Sequence, residues 1–514
     1  MVIVYLLLIA LGTSAGSPHT RQTDAVDSDV PTTIRYIDDE AISIKQRLSN
    51  VLGLSVDHIE ETQRVLGELA KKSGAAMKLA KRPSYGANTR KVERHPADEQ
   101  TSLVTLNKKL QPYLYGGDIL VSASHLNRLK ARLSDSKRTK RGAALITVTL
   151  WDKTKPIGYK FDDTLANDTA TKTAVKQAVA NFEANTCLRF TSDTTVPAGL
   201  IFTQGQGCYS SLGQTGAAIW QYISLGVGCG YTPTAMHEMT HALGQDHTQT
   251  QSDRDKYACT ITYVVINQQN IDGDYLHNYQ KHAENEDWNF FLPYDYGSVM
   301  HYGPFDFSLN NQLAMESPSD PAYEGAMGQR RRYSFADYKL LNLQYDCAAA
   351  CDDAPPNCQN GGFPNPNDCS SCICSDFWSG PTCETALNLI KLQADTPYVV
   401  TLSNTAPENS NFDYFNWDTY NKQIALVKAP AGKVVQYTID KLVGSDYGAQ
   451  KCTVPCPYSG VIIQDQDITI AGKTYCCAND AGTTVKTNSS LVAYTAYYPG
   501  SSYTMNVQIT FNAV

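Results

Sequence analysis

The chain has no cysteine before Cys187, although it contains 15 cysteines in 514 residues. An odd count leaves at least one thiol without an internal partner if the others pair. The chain also has no apolar run as long as the roughly 20 residues that a membrane-spanning helix needs. We therefore expect no membrane span. Because the net charge is −8, we also expect no nucleic-acid partner. With 42% hydrophobic and 18% charged residues the chain is foldable, and its length predicts several domains.

A short apolar run, residues 2–11, opens the chain and is followed by small residues at 12–15. This pattern is typical of a secretory signal peptide, which we assign to residues 1–15. We therefore expect a secreted, extracellular protein whose cysteines form disulfides. The sequons at Asn167 and Asn488 are compatible with N-glycosylation in that setting.

A basic segment ends at Arg141 and divides the chain by charge. Residues 1–141 hold 22 basic and 15 acidic side chains, whereas the remainder holds 21 basic and 36 acidic ones. A solvated charge run is the simpler interpretation. The sharper one is cleavage after Arg141 by a proprotein convertase that reads Arg-x-Lys-Arg, which separates a basic propeptide, 16–141, from an acidic body. Within that propeptide, residues 42–80 show the apolar spacing of helices.

The most specific feature is a set of three histidines, of which His237 and His241 are four residues apart and share one face of a predicted helix. Gly244 permits a sharp turn that returns His247 to them as a third ligand. Three neutral imidazoles bind one zinc ion and leave an open position, as in catalytic sites. Glu238 would remove a proton from the zinc-bound water that attacks a peptide carbonyl. The alternative interpretation is a surface helix that carries histidines without metal.

Together with the segment 298–302, Ser-Val-Met-His-Tyr, the histidine motif resembles the metzincin metalloproteases, and the turn is similar to that of the astacin family. The resemblance implies a two-lobed α+β catalytic domain, 142–347, with zinc in the cleft. Met300 would form the hydrophobic floor of the site. Tyr302 would serve as an additional zinc ligand and as a donor to the oxyanion. Asp118 lies in a segment that resembles astacin propeptides, in which this aspartate binds the zinc of the zymogen.

The resemblance also implies two disulfides in the catalytic domain, Cys187–Cys347 and Cys208–Cys229. Three positions depart from the astacin pattern. Thr248 stands where the family has the glutamate that receives the new N-terminus, so either that terminus docks differently or the link is absent. Gly158 replaces the usual proline at the start of the mature domain, and Cys259 is left without a partner.

Two further modules are expected after the catalytic domain. Six cysteines crowd into 351–383, and a block this short must be stapled. The block, 348–384, resembles an EGF-like module, and the alternative is a zinc knuckle. Residues 385–514 are expected to be all-β, with strands near 398–402, 434–439, 461–470 and 503–511, and they faintly resemble a CUB domain. The EGF resemblance implies the pairs Cys351–Cys369, Cys358–Cys372 and Cys374–Cys383.

The neighbours Cys476 and Cys477 are expected to pair separately with Cys452 and Cys456, because a bond between adjacent cysteines would be strained. The resemblance as a whole implies a secreted zinc endopeptidase made as a zymogen. Its partners would be protein or peptide substrates, an activating convertase, and extracellular proteins that bind the EGF-like and CUB-like modules. The alternative is a catalytically inactive protease-like protein that acts through those modules, which Thr248 favours. A third possibility is another metzincin family.

Overall fold

The computed structural model describes residues 44–79, 92–94, 102–134, 148–255, 262–282, 289–403, 413–444, 453–456, 458–499 and 505–514. These residues belong to one compact unit that spans 39–514. The expected signal peptide, the processing site at Arg141, and Cys259 and Cys452 lie outside the described residues. No helix within the described ranges is long and apolar enough to cross a membrane.

A seven-stranded sheet organises residues 148–347, which we call the central domain. Among the strands of the central domain, the outermost on one side is Cys208–Ser211, which we call the edge strand, and it is antiparallel to the inner strand Trp220–Leu225. On its other side, the edge strand pairs in parallel with Ile119–Leu120, which precedes the central domain in sequence. Two strands at one end of the sheet, Leu114–Tyr115 and Ile119–Leu120, therefore come from residues that precede the central domain. Across the sheet, the order is Leu114–Tyr115, Ile119–Leu120, Cys208–Ser211, Trp220–Leu225, Gly199–Thr203, Ile157–Phe161 and Phe190–Thr191.

Three α-helices lie among the described residues of the central domain. The helix Thr169–Asn185 begins at Asp168, whose carboxylate accepts the Thr171 amide, and it buries Val175 and Phe182 in the core. The helix Thr232–Ala242, which we call the site helix, has Pro233 in its first turn and is buried from Pro233 to Ala242. The pair Thr232-Pro233, which is typical of a helix start, begins this helix. The third helix, Phe335–Gln344, ends shortly before Cys347, which a disulfide joins to Cys187.

The described residues between 44 and 134, which we call the leader, form helices that pack on the central domain. The spacing in 42–80 predicts helices, and this prediction is confirmed. The second of them packs against the 3₁₀ helix Gly273–Tyr279 of the central domain. The leader helices are Ile44–Leu52, Val56–Leu79, Leu103–Leu106 and Ala123–Ser134, and a 3₁₀ turn covers Gln111–Tyr113.

The cysteine-rich block, 348–384, contains two short hairpins that disulfides hold together. Phe363–Pro364 pairs with Cys372–Ile373, and Trp378–Ser379 pairs with Thr385–Ala386. The disulfides are Cys351–Cys369, Cys358–Cys372 and Cys374–Cys383, the same pairs that the resemblance implied.

Two antiparallel-rich sheets share one apolar core in residues 385–514, the terminal β domain. The predicted strand over 461–470 is too long, because the strand ends at Gln464 and the chain turns before pairing resumes at Lys473. One sheet contains Leu389–Lys391, Asn421–Lys428, Leu491–Tyr498, Gly460–Gln464 and Lys473–Tyr475. The other contains Tyr398–Ser403, Met505–Ala513, Val435–Gly444 and Thr484–Lys486. Cys456 pairs with Cys476, and Cys477 is also disulfide-bonded.

Candidate metal centre

The turn after the site helix brings the third histidine to the other two. The helix ends at Ala242 and is capped by Leu243, and Gly244 has a φ of +103°, a conformation that favours glycine. A Cβ at Gly244 would lie 2.8 Å from Leu150 Cδ2, so the chain also passes too close to its neighbour for a side chain. His247 follows in extended backbone and returns to the helix.

Four buried side chains converge at this point: Asp118 of the leader and the three histidines. Their ligand atoms all lie within 4.8 Å of one another. The Asp118 carboxylate is 3.1 Å from Nε2 of His237, 3.1 Å from Nε2 of His247 and 3.5 Å from Nε2 of His241. The structure therefore directs three imidazole nitrogens and one carboxylate towards a common centre.

Each imidazole is oriented by an oxygen near its second nitrogen. His237 Nδ1 donates to the Val299 carbonyl over 2.8 Å, and His241 Nδ1 donates to the Gln245 carbonyl over 2.7 Å. Asp246 Oδ1 lies 3.3 Å from His247 Nδ1. These contacts turn Nε2 of each ring towards the centre, as is usual for histidines that bind a metal.

The electrostatics of the centre favour a positive charge. Burial lowers the pKa of His237 to about 3, so this imidazole is neutral, the form that binds a metal. Although burial opposes it, Asp118 and Asp246 raise the pKa of His247 to about 9. A cation is thus stabilised at this centre, whether it is a proton on His247 or a metal ion held by all three rings.

The donor set fits zinc. Three imidazoles with a carboxylate in the fourth position match the nitrogen and oxygen ligands that zinc takes in tetrahedral sites. Within the described residues, His241 Nε2 and Asp118 Oδ1 are buried without a hydrogen-bond partner, which a bound cation would satisfy. Both Glu238 oxygens are also buried without such a partner, and burial followed by the Asp118 charge raises the pKa of Glu238 well above its usual range.

Met300 is 1% exposed and lies in the core of the central domain, in the same apolar cluster as Met236 and Met239 of the site helix. Its amide donates to Ser298 Oγ, and its carbonyl accepts the amide of Thr248. Thr248 is itself buried, and its hydroxyl donates to Ser298 Oγ over 2.9 Å. Thr248 therefore joins the segment 298–302 to the third histidine, at the position where the family has glutamate.

Tyr302 points at the leader. Its hydroxyl donates to the Gly116 carbonyl, and its ring lies 4.6 Å from that of His247. Gly116 and Gly117 both have positive φ, +59° and +81°. A Cβ at Gly117 would lie 2.8 Å from Phe307 Cζ, so the turn before Asp118 has no room for a side chain there. This close fit places the Asp118 carboxylate among the imidazoles.

Two asparagines that the sequence analysis missed fix the leader in the cleft. Asn107 donates to the Gly117 carbonyl over 2.9 Å and accepts the Cys208 amide over 2.8 Å, so it links the leader turn to the edge strand. Asn278 accepts the Gly116 amide over 3.0 Å. No local pattern marks either residue, since their partners are distant in sequence. Asp246 was also missed, although its place beside His247 in the motif was a usable signal.

The remaining sequence-predicted residues lie away from the centre. The disulfide Cys208–Cys229 joins the edge strand to the loop before the site helix. Asn167 and Asn488 are both exposed on the surface.

Comparisons with known proteins agree with this site. Residues 145–346 match the family model of the astacin peptidases. The zinc metalloproteinase nas-32 of Caenorhabditis elegans is 32% identical over 433 residues, which cover 81% of this chain and 62% of that protein. The nas-36 protein of the same species is 29% identical, with 86% and 69% covered. The chain therefore spans less than two thirds of the length of the first of these relatives.

Among solved structures, the chain matches high choriolytic enzyme 1, a hatching enzyme zinc-protease of medaka, at 32% identity. The match covers 38% of this chain and 94% of that one, with a TM-score of 0.34. The motif, the match of residues 145–346 to the family model and the identities to the nematode proteins lead to one conclusion: the chain belongs to the astacin family of zinc metalloproteases.

Proposed function

We propose that the chain is a secreted zinc endopeptidase that is made as an inactive zymogen. The observation that carries the proposal is the buried, unpartnered Glu238 carboxylate next to three converged imidazoles, with a peptide segment of the leader lying across them. The proposed domain boundaries are those expected from the sequence. They are a signal peptide at 1–15, a propeptide at 16–141, a protease domain at 142–347, an EGF-like module at 348–384 and a CUB-like domain at 385–514.

One zinc ion held by His237, His241 and His247 would supply Lewis-acid polarisation of the scissile carbonyl and lower the pKa of water. Glu238 would accept the proton of the attacking water on its carboxylate and pass it to the amine that leaves. Tyr302, freed from Gly116, would donate its hydroxyl to the developing oxyanion.

The substrates would be proteins or peptides in extended conformation. The leader supports this, because Ile119–Leu120 pairs with the edge strand and the Ser210 amide donates to the Asp118 carbonyl. A peptide that replaces the leader can use the same edge for main-chain hydrogen bonds. The EGF-like and CUB-like modules would contact further extracellular proteins.

The leader would keep the enzyme silent until a proprotein convertase cleaves after Arg141. The Asp118 carboxylate lies 3.1 Å from Nε2 of His247 and would take the position that water needs, while the Gly116 carbonyl would hold the Tyr302 hydroxyl. Replacing Asp118 by alanine should therefore raise the activity of the uncleaved chain. If the Asp118→Ala zymogen is as silent as the wild-type zymogen, the switch assignment is wrong.

The function is tested on the processed, full-length protein with a protein substrate. We expect cleavage that a chelator abolishes and zinc restores, and a loss of about 10²–10⁴-fold in Glu238→Gln, because the general base is removed. Glu183→Gln is the matched control, since this half-buried glutamate accepts the Phe190 amide away from the metal centre. Activity that survives the chelator, or equal activity in Glu238→Gln, would overturn the zinc endopeptidase mechanism. No cleavage by the processed wild type, with its extracellular binding intact, would leave the inactive binding protein as the better assignment.

A further inference from the structure

The terminal β domain is joined to the central domain by buried polar contacts. Lys473, which is 6% exposed, lies 3.1 Å from Asp320 of the central domain and 2.8 Å from Asp465 of its own domain. The Cys456 amide donates to the Gly325 carbonyl over 3.2 Å. Such contacts bury charges and backbone groups together, so they hold the two domains in one fixed arrangement.

A buried arginine adds to this interface. Arg331 of the central domain lies over three aromatic rings of the terminal β domain, at 5.2 Å from Trp417, 5.7 Å from Tyr420 and 4.8 Å from Tyr497. Its carbonyl also accepts the Trp417 amide over 3.1 Å. Since the guanidinium is planar, it can stack on several rings at once, which fixes the orientation of this segment.

One contact of the interface reaches the segment beneath the metal centre. The Ala471 amide, in the terminal β domain, donates to Asp295 Oδ1 over 2.9 Å. The same oxygen accepts the Gly297 amide, and a Cβ on Gly297 would lie 2.4 Å from the Cβ of Ala471. The terminal β domain therefore lies directly against the residues that precede Met300.

Hydrogen bonds continue from Asp295 to the main chain of that segment. Ser334 Oγ donates to Asp295 Oδ2 over 2.8 Å and accepts the Asp337 amide over 2.9 Å. The Asp337 carboxylate accepts the Ser298 hydroxyl over 2.5 Å and the Val299 amide over 3.0 Å. All of these residues except Val299 are buried polar groups, and Val299 is buried in the core.

The last link is a metal ligand. The Val299 peptide is held at its amide by Asp337, and its carbonyl accepts Nδ1 of His237. The position of Val299 therefore sets the direction of His237 Nε2. A hydrogen-bond partner such as the Val299 carbonyl affects metal affinity, because it fixes the orientation of the ligating imidazole.

We infer that the terminal β domain positions the metal centre, through the contact of Ala471 with Asp295 and the bonds from Asp295 by way of Ser334 and Asp337 to Val299. Asp295 and Asp337 are positioning residues that do not touch the metal. The domain is then a structural part of the protease site, in addition to any partner that it binds.

The test measures metal retention in the uncleaved full-length chain loaded with Co²⁺. We expect Ala471→Pro, which removes the donated amide, to shorten the half-time of Co²⁺ loss to a chelator by about tenfold and to alter the visible d–d absorption. Asp295→Ala should do the same. Asp295→Asn should restore most of the half-time, because an amide oxygen still accepts the Ala471 amide.

Val507→Ala is the matched control. It removes buried packing from the strand Met505–Ala513, which belongs to the other sheet of the terminal β domain than Lys473. We expect Val507→Ala to lower thermal stability without changing Co²⁺ loss. Wild-type retention in Asp295→Ala, or equal Co²⁺ loss in Val507→Ala, would overturn the inference. If Ala471→Pro fails to fold, the Asp295 pair decides alone. Because no substrate is used, the outcome is independent of whether the chain cleaves peptides.

Discussion

Under the proposed function, the Tyr302 hydroxyl would act as a hydrogen-bond donor both before and after removal of the leader. In the structure its hydroxyl donates to the Gly116 carbonyl of the leader. Burial and the Asp118 charge raise the pKa of Tyr302 well above its usual range, so the phenol keeps its proton. A protonated phenol can donate to a carbonyl oxygen, and it does so here to the leader. Under the proposed zymogen mechanism, removal of the leader would make the same donor available to the carbonyl of a substrate.

Tyr302→Phe should therefore lower kcat of the processed enzyme by about 10²-fold, because one donor to the developing charge is lost. KM should change little, since the bond strengthens mainly in the transition state. Steady-state kinetics on a peptide substrate measures both constants. Tyr296→Phe is the control, because that hydroxyl donates to the Tyr263 carbonyl away from the centre. An unchanged kcat in Tyr302→Phe would contradict the assignment.

Asp337 has one role that its local sequence indicates and one that only the tertiary fold shows. Ser334 and Asp337 have the spacing of a capping box, and the structure shows both of its hydrogen bonds. That pattern predicts a helix start and nothing more. The contact with Val299 comes from the tertiary fold, so its link to the metal centre could not be read from the sequence.

At the scale of elements, the leader turn can be tested without removing Asp118. Gly117→Ala should open the cleft, because its Cβ would meet Phe307 Cζ at 2.8 Å while φ is +81°. We expect the uncleaved Gly117→Ala chain to show at least about tenfold more activity than the wild-type zymogen, since overpacking against Phe307 costs about 1–3 kcal/mol beyond the backbone strain, and opening relieves it. Gly53→Ala is the control, because it has a φ of +63° but nothing within 4 Å of its Cβ. It carries a similar backbone cost of about 1 kcal/mol, yet should stay silent.

The leader helix Ala123–Ser134 should also respond to pH. Burial, and next the Arg128 charge, lower the pKa of His125 to about 3, whereas an unfolded histidine has a value of about 6.5. The folded pKa is depressed, so the stability that this group contributes is complete above about pH 6.5 and is lost as the pH falls towards 3. At about pH 5.5 the loss is about 1.4 kcal/mol, roughly a tenfold increase in opening. The charged or titratable groups that act on His125 are Arg128, Arg132, Asp246 and His282.

The measurement is the cleavage rate of the leader by an added protease at about pH 5.5 relative to about pH 7.5. In the wild type the rings of His125 and Tyr115 lie 5.1 Å apart. The variant His125→Phe keeps an aromatic ring at this position and removes the titratable group. We expect the pH ratio of the wild type to exceed that of His125→Phe by about tenfold. Equal ratios in the two proteins would show that another group controls the opening.

Local patterns predicted the parts of this fold that depend on local sequence. The start of the site helix at Thr232 and the turn at Gly244 follow from residue preferences within a few positions. The pairing of Ile119–Leu120 with the edge strand does not, because it joins segments about 90 residues apart. The strand predicted over 461–470 failed for a similar reason. Beyond Gln464 the chain turns, and Ile468 packs against a cluster that includes Phe377 and Leu426, so the apolar run does not mark a strand.

At the scale of the whole molecule, Arg331 decides how firmly the central and terminal domains are joined. Arg331→Lys keeps the charge but cannot stack on Trp417, Tyr420 and Tyr497 together. We expect the full-length protein to lose about 1–2 kcal/mol of stability, since a desolvated cation over aromatic rings contributes up to about that much. Calorimetry should show the melting temperature falling by a few degrees.

Lys160→Arg is the matched control, because Lys160 lies 4.6 Å from a single ring, that of Trp220, within the central domain. This exchange should leave the melting temperature unchanged, since the site is partly exposed and both cations can lie over one ring. An equal fall in both variants would mean that the exchange of cations is harmful wherever it is made. A fall in Arg331→Lys alone would locate the cost at the junction of the two domains, where the guanidinium meets three rings at once.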